Sequence, residues 1–366
     1  MADRLCRFGI LGTANIARKN WEAIRNAENC SLAAVASRTP ERAEQFIREC
    51  QADAPFDPPP GACSYEALLA DRSVDAVYVP LPTGLRKEWV IRAADAGKHV
   101  LCEKPCAPSA ADLEEMIAAC RRGKVQFMDG VMFMHSGRLE SLRQTLDDGQ
   151  SVGRIRRIAT QFSFLGSDDF SQSNIRMKSR LEPLGCLGDL GWYTIRFTLW
   201  AMNYQMPQRV AGRILAAAPP EDGGEPVPTE FSGELFFDGG VTAGFYCSFT
   251  AEHQQWAVVS GVKGWLHVPD FVLPYLGSEA AYTVTNARFE VNNTRFNMEE
   301  HTRRIAVREY SNNAPDAQET NLFRNFAALV LSGKIDPTWS EIALKTQQVL
   351  DRCLQSSRQD GKLVLL

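Results

Sequence analysis

Long apolar runs are missing from this chain. No stretch of its 366 residues approaches the roughly 18 that a membrane span requires. Residues 1–10 lack the basic start and apolar core of a secretion signal. Excess positive charge is missing too: 40 Lys and Arg against 44 Asp and Glu leave a formal charge of −4. That balance gives no footprint for nucleic acid or an anionic membrane. Arg154, Arg156 and Arg157 read as one solvated strand edge. Metal-type cysteine pairing is also lacking. Ten cysteines run from Cys6 to Cys353, and Cys102 and Cys106 have no second cluster to complete a zinc site. The expectations are therefore no metal, buried reduced thiols and a cytoplasmic address.

What is present is an ordinary globular composition, 45% apolar and 23% charged, in a chain long enough for two domains. The first third alternates strands with helices. Phe8–Leu11, Leu32–Ala36, Asp75–Val79, His99–Cys102 and Val125–Met128 read as five buried parallel strands. Helices are expected near 14–26, from Thr39 as N-cap with Pro40 in the first turn, at 85–96 closed by Gly97, and at 110–122. Residues 52–61 read as a loop. This predicts an α/β Rossmann domain, a doubly wound parallel sheet, over 1–128.

Beyond that point the rhythm changes. Ile155–Phe164 predicts a long strand, and Phe231–Phe237 and Val241–Phe249 flank a hairpin turn at Asp238-Gly239-Gly240. Trp256–Gly261 and Trp265–Val268 flank another turn at Lys263-Gly264. Residues 218–229 read as an exposed loop, and helices return at 319–332 and 339–356. Residues 129–366 thus predict an α+β domain with a large, open, mainly antiparallel sheet. Its uncovered face points to a homodimer or higher homo-oligomer.

Gly12-Thr13-Ala14-Asn15-Ile16-Ala17 follows the first strand as a small-residue form of the dinucleotide fingerprint. Small residues let the backbone approach a pyrophosphate, which the next helix meets with free N–H groups and its positive dipole end. Strand two ends in Ser37-Arg38, where an NAD site usually places Asp or Glu. A hydroxyl followed by a guanidinium suits a 2′-phosphate, so NADP(H) is favoured, with NAD(H) as the other reading. Glu103-Lys104-Pro105 follows the strand His99–Cys102, at the strand end where such sheets bind ligands.

These segments, with Leu81-Pro82-Thr83-Gly84-Leu85-Arg86, resemble the glucose–fructose oxidoreductase/inositol dehydrogenase/rhizopine-catabolism (Gfo/Idh/MocA) family. The branch resembled is the one containing dimeric dihydrodiol dehydrogenase. The resemblance implies catalytic roles for Lys104, Asp189 and Tyr193, the last standing where the family commonly has His. It implies cofactor contacts from Gly12, Thr13, Ala14, Asn15, Ile16, Ser37, Arg38, Leu81, Pro82, Thr83, Glu103 and Lys104. Phe133 and His135 become candidate substrate-pocket walls. Arg86 occupies a place where the family often has His, and is a third substrate-side candidate. Asp189 and Tyr193 are four apart, so a helix starting near Gly188 would present both on one face. An ammonium beside a phenol, reference pKa about 10, would favour the phenolate and fit Tyr193 for proton transfer.

The function expected is NADP-dependent hydride transfer on a sugar, sugar derivative, cyclitol or dihydrodiol. Two other readings are a non-catalytic nucleotide-sensing regulator and a glycosidase using tightly held NAD. Lys104 with Asp189 and Tyr193 argues against the first, and Ser37-Arg38 against the second.

Overall fold

The computed structural model describes residues 4–220 and 224–366. The chain opens with β1 (Cys6–Leu11), α1 (Asn15–Asn26), β2 (Cys30–Ala36), α2 (Pro40–Asp53), β3 (Gly61–Cys63) and α3 (Tyr65–Ala70). It continues with β4 (Ala76–Val79), α4 (Thr83–Asp95), β5 (His99–Cys102), α5 (Ala110–Gly123) and β6 (Phe127–Asp129). The strands form one parallel sheet in the order β3-β2-β1-β4-β5-β6. β2 and β4 flank β1, so the chain order switches direction beside the strand that leads into the glycine turn.

Six strands replace the five expected. The segment read as a loop over 52–61 is shorter, because α2 runs to Asp53 and β3 starts at Gly61. The last strand pairs from Phe127, not Val125. Thr39 sits at the N-cap of α2 as predicted, but its side chain makes no capping hydrogen bond.

The second sheet follows α6 (Arg138–Asp147) and contains β7 (Ile155–Leu165). After it come α7 (Asp168–Ser173), α8 (Gly185–Asp189), α9 (Gly191–Ala201), β8 (Arg209–Ala218), β9 (Val227–Phe236) and β10 (Thr242–Ser248). Then come β11 (Thr250–Gly261), β12 (Trp265–Val268), β13 (Glu279–Asn292), β14 (Arg295–Arg308), α10 (Gln318–Ser332), α11 (Thr338–Ser357) and β15 (Val364–Leu365). The nine strands lie in the order β14-β13-β12-β11-β7-β10-β9-β8-β15. Both predicted hairpins form. Pairing is antiparallel except between β7 and β10, which run parallel at the centre. The loop read over 218–229 is trimmed at both ends, since β8 includes Ala218 and β9 starts at Val227. Residues 221–223 of that loop lie outside the described residues.

Packing divides the chain into two compact units. One comprises the chain up to His135, Lys178–Pro183 and Asn312–Gln347; the other comprises Ser136–Met177, Leu184–Ser311 and Gln348–Leu366. In the first unit α10 lays Phe323 against Phe8 and Tyr78, with ring centroids 5.6 and 5.5 Å apart. Leu322, Phe323, Phe326 and Val330 make the buried stripe that drives this docking. In the second unit Ile158, Phe162, Ala257, Val259 and Leu266 point into the core, while the alternate residues Trp256, Val258 and Trp265 stay half-buried on the other face. All ten cysteines are free thiols, and all but Cys63 are buried.

Candidate active site

In the first unit the glycine turn is built for close approach. Gly12 has φ +119°, a backbone that side chains rarely adopt, and a Cβ there would stand 3.0 Å from Leu81 Cδ2. Its N–H donates to Ala36 O at 2.9 Å, tying the turn to β2. Ala14 occupies the N-cap of α1 and has no side-chain acceptor for the first N–H groups; the first turn carries no acid. Thr13, Ala14, Asn15 and Ile16 are partly or fully exposed. This end of α1 therefore offers backbone donors and a positive dipole end without a competing carboxylate, and it fits a pyrophosphate.

At the end of β2, Ser37 is buried and Arg38 exposed. Tyr65, which the sequence reading passed over, completes this corner. Its hydroxyl lies 3.9 Å from where a Cβ on Gly12 would be, and its ring meets Trp89 edge-on at 4.7 Å. Burial raises the Tyr65 phenol above its ordinary value, against the opposing pull of Arg38 and Arg42. A sequence signal for its helix existed: Ser64 caps α3 by accepting from Ala67 N–H at 3.2 Å.

Between β4 and α4, Thr83 is fully buried and Pro82 is the N-cap. Arg86, expected on the substrate side, is buried and its guanidinium serves the protein. It donates to Leu81 O at 2.7 Å, to Thr83 Oγ1 at 3.1 Å and to Pro105 O. Glu103 also turns inward. Asn20 donates to Tyr78 Oη and Tyr78 donates to Glu103 Oε1, both at 2.6 Å, while Lys104 N–H donates to Glu103 Oε2 at 3.2 Å. Burial and the adjacent Glu103 hold the Tyr78 phenol well above its ordinary value, so it remains a donor. Lys104 follows β5 half-buried and is joined to Pro105 by a cis peptide bond.

Residues Met132–His135 form a 3-10 turn. Phe133 is buried. The His135 ring stacks on Trp339 at 4.7 Å, and its Nδ1 lies 3.0 Å from Asn325 Nδ2. These contacts brace His135 within the first unit.

In the second unit the single helix expected around Asp189 and Tyr193 is two. α8 ends at Asp189, Leu190 intervenes at φ −107°, and α9 begins at Gly191. The Tyr193 N–H bonds to Leu190 O at 3.1 Å, and Leu190 keeps a right-handed helical backbone, its N–H bonding to Cys186 O at 2.9 Å. The helix also starts earlier than Gly188. Gly185, at φ +50°, is the close-approach residue, since a Cβ there would stand 2.1 Å from Pro228 O. Asp189 accepts from Arg176 Nε at 2.6 Å. Tyr193 is buried, edge-on to Phe162 at 5.7 Å. Among the described residues no group of three or more His, Cys, Asp or Glu could hold a metal ion. No helix of the described residues is long and apolar enough to cross a membrane.

Comparison with known proteins decides the family. Residues 6–131 match the Gfo/Idh/MocA oxidoreductase family, NAD-binding Rossmann fold, and residues 139–267 match the Gfo/Idh/MocA C-terminal domain. The chain belongs to the Gfo/Idh/MocA oxidoreductase family. It is an NAD(P)-dependent oxidoreductase. It is 35% identical over 280 residues to D-xylose 1-dehydrogenase (NADP(+)) 2 of Haloferax volcanii, covering 75% of this chain and 80% of that protein. It is 30% identical over 272 residues to trans-1,2-dihydrobenzene-1,2-diol dehydrogenase of Mus musculus, covering 73% and 76%. Among solved structures, a 3-ketoreductase from Actinomadura kijaniata in complex with NADP and TDP-benzene superposes with a TM-score of 0.81. That pair shares 26% identity over 96% of this chain and 98% of the other.

Proposed function

We propose that this family member is an NADP-dependent dehydrogenase or reductase acting on a hydroxyl or carbonyl carbon of a sugar, sugar derivative, cyclitol or dihydrodiol. The observation that carries the cofactor choice is exposed Arg38, following Ser37 at the end of β2 where a carboxylate would repel a 2′-phosphate. The NADP(+)-named xylose relative and the NADP-bound ketoreductase support the same choice. The substrate class draws on the relatives, which act on xylose, a dihydrodiol and a nucleotide-linked sugar.

The N-terminal turn of α1 would hold the pyrophosphate, and Ser37 and Arg38 the 2′-phosphate. When bound, NADP(H) supplies the hydride chemistry. In this reading Tyr193 moves the proton of the reacting hydroxyl, Lys104 orients that oxygen, and Asp189 holds a neighbouring hydroxyl. The relatives are named dehydrogenases and reductases, which favours catalysis over the sensing and glycosidase readings. The homo-oligomer belongs to this proposal as well, through the half-buried sheet face at Trp256, Val258 and Trp265.

The test has two parts. Purified protein is scanned for NADPH oxidation and NADP reduction over anhydro-sugars, ketoses, aldoses, inositols and aromatic dihydrodiols. On the best substrate Tyr193→Phe is expected to lower kcat by about 10²–10⁴, with NADPH affinity nearly unchanged. Wild-type turnover in that variant removes Tyr193 from the mechanism.

A further inference from the structure

The short segment Lys178–Pro183 packs with the first unit although the chain on either side of it belongs to the second. It lies against the start of α4. Gly84 N–H donates to Leu181 O at 2.9 Å, and a Cβ on Gly84 would stand 2.2 Å from Arg180 O, so only a glycine admits this approach. The helix needs help from outside, because Pro82 at its N-cap has no side-chain acceptor. Glu182 supplies it. Its Oε1 accepts from Thr83 N–H at 3.0 Å, and its Oε2 accepts from the Thr83 hydroxyl.

The bond network runs further. The Thr83 hydroxyl, donating to Glu182, accepts from Arg86 Nη1. The same guanidinium donates to Leu81 O and Pro105 O. One carboxylate thereby steadies two places at once: Leu81, which lies over Gly12, and Pro105, which is bonded to Lys104. Sheet order says which half of a dinucleotide these places serve. The pyrophosphate turn follows β1, and Ser37-Arg38 at the end of β2 takes the adenosine side. The remaining half must run toward the ends of β4 and β5.

We infer that Glu182 is a positioning residue for the nicotinamide half of the cofactor, acting through Thr83 and Arg86 on Leu81 and Lys104. The inference rests on the NADP(H) reading given under Proposed function. Charge matters here because an ionised acceptor makes bonds roughly twice as strong as a neutral one. A glutamine could accept from only one Thr83 donor and would turn an NH₂ toward the other.

The test compares two ligands on the full chain. NADPH spans both halves of the site, whereas adenosine 2′,5′-bisphosphate lacks the nicotinamide. Glu182→Gln is expected to weaken NADPH about tenfold and leave adenosine 2′,5′-bisphosphate within about twofold, both measured by calorimetry. Equal weakening of both ligands means general damage and overturns the inference, as does no weakening of either. Thr83→Val, which keeps the N–H and the shape but loses the hydroxyl, is expected to show the same split more mildly. If Glu182→Gln does not fold, Thr83→Val carries the test, and absence of the split in it is decisive. Failure of the unaltered protein to bind either ligand overturns the NADP(H) reading itself. Tight binding of both by the unaltered protein, without a split in the variants, overturns only the role of Glu182.

Discussion

At the scale of single residues, the proposed 2′-phosphate contact turns on exposed Arg38. It stands just past the end of β2, and the charge-assisted hydrogen bond proposed for it would be worth about 1.5–3 kcal/mol. Arg38→Ala is therefore expected to weaken NADPH by about 10- to 100-fold and to leave NADH almost unchanged, measured by titrating intrinsic fluorescence. Equal losses for both nucleotides would show that Arg38 does not read the phosphate. Single residues also show the limit of reading a sequence. Gly12 was legible because it opens a small-residue dinucleotide fingerprint between an apolar strand and a helix, and its φ of +119° suits that turn. Arg86 was expected to face the substrate, and nothing local announces that three of its acceptors are Leu81, Thr83 and Pro105. Glu182 was invisible for the same reason: Thr83, its partner, is remote in sequence.

At the scale of elements, β1 and β4 are joined at their starts by Asp75, which accepts from the Arg7 N–H at 3.0 Å and from its guanidinium at 2.9 Å. Burial alone would raise the Asp75 pKa, but the Arg7 hydrogen bonds outweigh it and hold the carboxyl below its usual range. A depressed folded value stabilises the fold at neutral pH. That contribution is complete above about pH 4 and is lost as pH falls through the lower folded value. Asp75→Asn should cost about 1–2 kcal/mol at pH 7, with the gap to wild type closing toward pH 2 in thermal melts. A constant gap across that range would count against the ionic account.

Elements also differed in how plainly they were written. Leu32–Ala36 is a continuous apolar run and lies within the predicted strand β2. β3 is three residues, Gly61–Cys63, too short for any periodicity to register. The break between α8 and α9 at Leu190 has no proline to mark it, so the spacing read as a single helix.

At the scale of the molecule, the nine-stranded sheet keeps one face only half covered, with Trp256 and Trp265 upon it. Self-association through that face predicts a solution mass at a multiple of the chain mass by light scattering. Trp265→Glu should shift it to a single chain, since a carboxylate there would lose its hydration in the interface. A monomeric wild type would end that proposal.

The nucleotide-binding half is assembled from pieces that leave the ribosome at very different times. Its strands emerge first, yet Phe323, the ring that rests on Phe8 and Tyr78, is among the last parts of that half to be made. Throughout translation of the intervening sheet, the nascent Rossmann core lacks the cover that α10 will give it. Its completion waits on nearly the entire length of the chain, and a fragment halted before Asn312–Gln347 would carry an open apolar flank that invites chaperones or aggregation.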